Sequence, residues 1–140
     1  MPIMKQTKTE PSDLKTMIAD YMEKGFLENI IDMFKHDAGL YAYIGDFMKD
    51  ERLIVRIGFS ALVETLSKED PENITRGIPS ILPLLKHQNS VVRSDAAYFL
   101  EMIGHKDALP YLREATHDED ETVRTMAKEA IEEIEANPRR

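Results

Sequence analysis

The sequence predicts an all-α protein built as an α-α superhelix of about eight helices in four antiparallel hairpins. Apolar residues recur at helical spacing of three and four along most of the chain. No run alternates apolar and polar residues for long enough to predict a strand. Segments of the chain also resemble one another, as they do in repeat arrays. With 140 residues, the chain suits one domain or one short array.

The first three helices are predicted from apolar stripes. The first follows a polar lead at residues 1–11, which we expect to fray, and ends near Gly25. Similar stripes cover 27–34 and 40–48. Helices this short are marginal alone in water, so they must pack on their neighbours. The first stripe consists of Leu14, Met17, Ile18, Tyr21 and Met22.

A longer fourth helix is predicted over 51–67, with Asp50 as its N-cap. The polar stretch at 68–73 predicts a loop. A helix over 78–86 should be kinked at Pro83, because proline lacks an amide donor and crowds the carbonyl four residues back. Further helices are predicted over 91–103, for a short stretch after Asp107, and over 121–135, so that one domain covers 12–136 before a tail at 137–140.

The strongest signal in the sequence is a repeated Val-Arg pair. It occurs with Arg56, Arg93 and Arg124, each followed by a similar ladder of small or apolar residues. The residues six positions before these arginines also correspond to one another: Asp50, His87 and Asp118. Upstream, Ile78-Pro79 matches Leu109-Pro110, and each begins a shorter helix.

Over residues 38–136 this pattern resembles the HEAT-repeat family, more closely the short bacterial and archaeal HEAT-like repeats also found in bilin lyases. The resemblance implies a structural ladder of hydrogen-bonded ion pairs between repeats. It also implies that the second helix of each repeat lines a concave, protein-binding surface. In the middle repeat His87 replaces the expected aspartate, which puts that rung in doubt. The ladder residues are Asp50, Arg56, Arg93, Asp118 and Arg124.

The candidate binding residues are those on the second helices that point away from the core. Tyr98 and Met102 are the favoured anchors, because an aromatic ring with a polar tip and a flexible thioether one turn apart are typical of interfaces. The alternative is that both are partly buried between helices. The full set is Ile57, Glu64, Ser94, Tyr98, Glu101, Met102, His105, Glu129 and Glu132.

Several classes of function are disfavoured by composition. The chain has no cysteine, no glycine-rich phosphate loop and no serine in a nucleophile elbow. Asp32 and His36 share a helix face, but a zinc site needs more ligands. The residues after His87, His105 and His117 are not glutamates, so the His-Glu pairs of iron-binding HEAT-like hydroxylases are absent. We therefore expect no catalytic residue, no metal, no cofactor and no enzymatic activity.

The partner expected from the charge is a protein rather than nucleic acid. The formal charge is -8, which repels phosphate backbones. No apolar run is long enough to cross a membrane, and the start lacks the pattern of a signal peptide, so we expect a cytoplasmic protein without membrane contact. Residues 114–136 hold nine acids against two bases. This acidic end is either a solvated cap of the array or a docking face for a basic segment.

The sequence thus favours a non-catalytic scaffold that binds a protein through the concave face. Two alternatives stay open. One is an enzyme or enzyme subunit related to bilin lyases, which predicts a cavity with convergent titratable groups. The other is a homo-oligomer in which the array pairs with a second copy of itself.

Overall fold

The computed structural model describes residues 11–137. The remainder of the expected lead and residues 138–140 of the expected tail lie outside this range. Within it, the chain forms eight α-helices and no strand, which confirms the all-α prediction. The helices are α1 (Pro11–Glu23), α2 (Leu27–His36), α3 (Ile44–Phe47), α4 (Leu53–Glu69), α5 (Ile78–Ile81), α6 (Ser90–Ile103), α7 (Leu109–Ala115) and α8 (Glu121–Ala136).

The helices lie in two rows. Helices α1, α4, α6 and α8 contact one another in that order and form the inner row. Helices α2, α3, α5 and α7, with the 3-10 segments beside them, form the outer row. The first hairpin is therefore reversed, since its first helix joins the inner row while in the later pairs the second helix does.

The outer-row helices of the later repeats are short and partly 3-10. A 3-10 helix at Ala38–Tyr43 precedes α3, another at Leu82–Lys86 follows α5, and a third at Lys106–Ala108 precedes α7. The change from α to 3-10 geometry after α5 occurs beside Pro83, as the sequence predicts. A 3-10 helix at Ile74–Gly77 follows the loop predicted at 68–73, and the first two residues of that predicted loop belong to α4.

The N-terminus of α4 differs from the expectation. Asp50 is not its N-cap; that position is Arg52, which makes no side-chain cap. The Asp50 carboxylate instead accepts hydrogen bonds from the backbone N–H and the guanidinium of Arg52. These bonds, led by that from the guanidinium, lower the pKa of Asp50 despite its partial burial. Arg52 also donates to Asp20 and Glu23 of α1 at 2.9 Å, which ties the first hairpin to the array.

Aromatic rings fill the core where the first hairpin meets the array. Phe47 stacks on Phe59 with ring centres 4.2 Å apart, and Phe34 meets Tyr41 edge-on at 5.3 Å. The Tyr41 hydroxyl donates to Asp70 at 2.7 Å. Burial and this hydrogen bond raise the pKa of Tyr41 well above its ordinary value. The inner and outer rows are thereby fixed relative to each other beside α4.

Candidate binding surface

The arginine ladder positions the inner helices. Arg93 on α6 donates through Nε and Nη2 to the two carboxylate oxygens of Asp118, at 2.9 and 3.0 Å. Asp118 lies in the turn before α8, and both side chains are about nine-tenths buried. The pair therefore links neighbouring repeats through a charge-assisted fork, the geometry to which arginine is best suited.

A second contact recurs at all three arginines. Nη1 of Arg56, Arg93 and Arg124 donates to the backbone carbonyl of the residue six positions earlier, at 2.7, 2.8 and 2.8 Å. Each arginine thus closes the turn of its own repeat. The ladder contacts expected from the sequence are present at Arg93 and Asp118, whereas Arg56 and Arg124 make only the contact within their own repeat among residues 11–137.

Asp118 is held in its charged form. Burial of its carboxylate acts to raise the pKa, but the hydrogen bonds from Arg93 and from the Asp120 N–H outweigh burial, with further help from the charge of Arg124. The pKa of Asp118 therefore lies below that of an ordinary aspartate, and the ion pair persists into mildly acidic solution.

A groove of about 290 Å³ runs between α4 and α6 on the inner row; we call it the inner groove. Four of its side chains are apolar or aromatic and exposed to solvent: Leu53 at 61%, Ile57 at 58%, Val91 at 53% and Tyr98 at 38%. These side chains lie on the two adjacent helices α4 and α6. The complete lining is Met48, Leu53, Arg56, Ile57, Ser60, Val91, Asp95, Tyr98 and Phe99.

Asp95 supplies a half-buried carboxylate to the inner groove. Its burial raises its pKa, and the charge of Arg56 opposes that shift. Within residues 11–137 the Asp95 carboxylate accepts no hydrogen bond. The groove therefore combines apolar walls with one acid and one arginine.

A second cavity, the acidic pocket, adjoins the inner groove at Tyr98 and has a volume of about 210 Å³. Burial raises the pKa of its Glu101, and the charges of Glu129 and Glu133 on α8 raise it further. The Ser67 hydroxyl is buried beside it without a hydrogen-bond partner among the described residues. The complete lining is Glu64, Ser67, Lys68, Tyr98, Glu101, Met102 and Glu133.

Most of the binding residues expected from the sequence lie on this surface. Ile57 lines the inner groove, Tyr98 lies between the two cavities, and Glu64 and Glu101 line the acidic pocket. Met102 also lines the acidic pocket, but it is half-buried against the core. Tyr98 is thus the exposed member of the favoured pair.

Three other residues expected from the sequence, Ser94, Glu129 and Glu132, line neither of these two cavities. Ser94 is half-buried, and its hydroxyl donates to the Val91 carbonyl at 3.1 Å. Glu129 and Glu132 are exposed on α8, where Glu129 acts on Glu101 through its charge.

His105 does not belong to the inner face. Gly104 ends α6 in the left-handed conformation, at a φ of 75°, which a glycine adopts without steric penalty. The chain then turns toward the outer row, where His105 Nδ1 accepts a hydrogen bond from the Asp107 N–H. His105 lines a groove of about 810 Å³ there, beside Pro79 and Pro110. The sequence interpretation ended this helix at residue 103 but still counted His105 on its exposed face, and Gly104 was the overlooked signal.

The inner groove and the acidic pocket contain residues that the sequence interpretation omitted from the binding set. Leu53 and Val91 stand at the starts of α4 and α6, where an apolar residue gives no indication of its exposure. Asp95 and Glu133 are acids on inner helices, and the helical spacing from Tyr98 and Glu129 would have placed them near the same face. Arg56 was assigned to the structural ladder.

Two further features concern the described residues: metal sites and membrane-spanning helices. Residues 11–137 contain no cluster of three or more histidines, aspartates or glutamates arranged to hold a metal ion. Over the same range, the helices all fall short of the length and apolarity needed to cross a membrane.

An array of paired helices with a groove along its inner row defines an α-α repeat protein. The family model described as HEAT repeats matches residues 60–132, slightly more than half of the chain. The chain therefore belongs to the HEAT-repeat family, as the repeated Val-Arg pattern predicts. No curated protein matches the chain, and the narrower likeness to bilin lyases gains no support.

Proposed function

We propose that this chain is a non-catalytic scaffold that binds a segment of a partner protein along the inner groove and the acidic pocket. HEAT repeats commonly serve as protein-interaction scaffolds. The observation that carries the proposal here is the row of exposed apolar side chains that leads into a cluster of carboxylates.

The apolar part favours a protein ligand. Leu53, Ile57, Val91 and Tyr98 line one groove, and each is more than a third exposed. Neighbouring exposed apolar groups of this kind mark interaction sites, because water solvates them poorly. Tyrosine is enriched among the residues that dominate binding energy, since its ring buries a large area and its hydroxyl stays hydrated.

The acidic part favours a basic residue on the partner. Burial raises the pKa of Glu101, and repulsion from the nearby Glu129 and Glu133 raises it further. A lysine or arginine side chain placed among them would relieve that repulsion.

The two cavities share Tyr98, so one continuous segment can occupy both. We infer an amphipathic segment with apolar side chains over α4 and α6 and basic side chains toward α8. The acidic surface at large would attract such a segment and speed its association.

A non-catalytic role is in keeping with the HEAT-repeat family, which is generally non-enzymatic.

The proposal is tested by titrating the ¹⁵N-labelled protein with a short amphipathic peptide of leucine and lysine. The matched control peptide carries glutamate in place of every lysine. The basic peptide should shift the amide signals of Ile57, Tyr98 and Glu101 and leave those around the exposed Tyr111 of the outer row unchanged. Shifts centred on Tyr111, or equal binding of both peptides, would contradict the proposal. A concentration-dependent dimer with shifts at the groove in the absence of peptide would instead assign the surface to self-association.

A further inference from the structure

The three arginines of the ladder offer an internal comparison. All three donate through Nη1 to a carbonyl of their own repeat. Arg93 uses its remaining edge, Nε and Nη2, to hold the Asp118 carboxylate of the next repeat. The position of Arg93 in the fold thus shows which ligand this edge takes: a carboxylate that approaches from the neighbouring turn.

At Arg56 the residue corresponding to Asp118 is His87. The two side chains make the same hydrogen bond within their turns. His87 Nδ1 accepts from the Asn89 N–H at 3.0 Å, and Asp118 Oδ1 accepts from the Asp120 N–H at 2.9 Å. The imidazole ring replaces the carboxylate as the acceptor in the turn. It offers no second oxygen to an arginine, so the rung between α4 and α6 lacks its anion.

The free edge of Arg56 opens into the binding surface. Within residues 11–137 the Nε and Nη2 groups of Arg56 take part in no hydrogen bond or ion pair. Arg56 lines the inner groove and also a cavity of about 330 Å³ at the turns, and both cavities include Met48 and Val91. Its donors therefore face the place where a bound segment would lie.

The Asp50 and Asp95 carboxylates are nearby acids that could compete for this edge. The charge of Arg56 acts on both, but no hydrogen bond joins its guanidinium to either carboxylate. The Arg56 guanidinium lies in a partly apolar groove and is not hydrogen-bonded to a nearby carboxylate. Its planar pair of donors, Nε and Nη2, is therefore available to another acceptor.

We propose that Arg56 binds an aspartate or glutamate side chain of the partner segment, which takes the place that Asp118 occupies on Arg93. This inference rests on the proposed function, because the segment in the inner groove delivers the carboxylate. The overall charge of -8 makes the binding of a free anion weak, so apolar contacts with Leu53, Ile57 and Val91 strengthen the binding of an acid carried by the segment. The partner segment then carries an acidic residue at one end and basic residues at the other.

The decisive variant is His87→Asp, which restores the family's carboxylate within the chain itself. The new carboxylate should bind Nε and Nη2 of Arg56. The melting temperature should therefore rise, by about 3–5 °C if the restored rung contributes as much as a typical charge-assisted pair. Gln88→Asp is the matched control, because it adds the same charge at the neighbouring exposed position. A melting temperature of His87→Asp no higher than that of Gln88→Asp would overturn the inference that the Arg56 edge is open.

Binding is measured with a series of leucine-lysine peptides. Each peptide carries one glutamate at a different position near one end, and each has a matched peptide with glutamine at that position. One glutamate position should bind about tenfold more tightly than its glutamine counterpart. His87→Asp should abolish this preference, and Gln88→Asp should retain it. If no glutamate position is preferred, or if the preference persists in His87→Asp, the inference about Arg56 is overturned. Binding of the parent peptide would in that case still support the proposed function.

If no peptide binds, the proposed function fails, and acetate tests Arg56 separately. Acetate should shift the Arg56 Nε–H signal of the wild-type protein saturably, with no change at Arg93, whose edge Asp118 already occupies. Sodium chloride at equal ionic strength is the control. A shift of equal size in His87→Asp, or no shift in the wild type, would overturn the assignment of Arg56 as a carboxylate site.

Discussion

Arg93 and Asp118 form a nearly buried, two-pronged ion pair between α6 and the turn before α8. Removing Arg93 would leave the His87 carbonyl without this donor and the buried Asp118 carboxylate with the Asp120 N–H but without both guanidinium donors. Arg93→Ala should therefore lower the free energy of unfolding by about 1–3 kcal/mol. Urea unfolding measures the change.

The control for that prediction is Arg113→Ala, which breaks an exposed pair with Glu135 at 2.9 Å. Surface pairs contribute little, about 0–1 kcal/mol. Equal losses in the two variants would show that the Arg93 rung is no more important than a surface contact.

The depressed pKa of Asp118 predicts a specific response to acid. A carboxyl group with a lower pKa in the folded than in the unfolded chain stabilises the fold above its unfolded pKa, which is about 3.9 for aspartate. That contribution is lost as the pH falls through the folded pKa. Asp118→Asn should therefore have a lower urea midpoint than the wild type at pH 7. The difference between the two midpoints should shrink as the pH is lowered below about 4. A difference independent of pH would contradict the ion-pair account.

Glu101 predicts the opposite behaviour. Burial and the charges of Glu129 and Glu133 raise its pKa, so the charged form is disfavoured in the folded state. Its penalty is fully present at neutral pH and disappears below the unfolded pKa of about 4.3. Glu101→Gln should raise the melting temperature at pH 7 and lose this advantage in acid. Glu132→Gln, on the exposed face of α8, should change little at either pH; an equal gain there would indicate a general effect of net charge.

Two glycines test how closely the helices approach. A Cβ on Gly45 would overlap the backbone carbonyl of Ser80 in the neighbouring outer helix, whereas a Cβ on Gly58 would meet the flexible end of the Met22 side chain. Gly45→Ala should therefore destabilise the protein more than Gly58→Ala does, although alanine favours a helix at both sites. Thermal unfolding of both variants checks the order, and the reverse order would contradict the packing of α3 on α5.

The sequence predicted the local helices well because apolar periodicity is a local property. The stripes of α1, α4 and α6 and the disruption at Pro83 all follow from residues a few positions apart. The reversed order of the first hairpin could not be predicted in this way, since a stripe shows that a helix packs but not on which neighbour.

The residues of the candidate binding surface were predicted only in part for the same reason. Tyr98 and Glu101 were found because they lie on one predicted helix face. The contribution of Arg56 depends on which residue faces it from the next repeat. Identifying that residue requires the positions of α4 and α6 relative to each other. His87 was recognised as a departure from the repeat, but its consequence for the open edge of Arg56 requires the coordinates.

The central claim is that the inner groove, rather than the outer row, binds the partner segment. The most direct measurement is the affinity of the leucine-lysine peptide for Tyr98→Ala and for Tyr111→Ala, two variants that remove similarly exposed tyrosines from opposite rows. We predict that Tyr98→Ala weakens binding about tenfold or more, as the loss of an aromatic anchor does, and that Tyr111→Ala binds like the wild type. Unchanged affinity in Tyr98→Ala, with its fold intact by circular dichroism, would contradict the account.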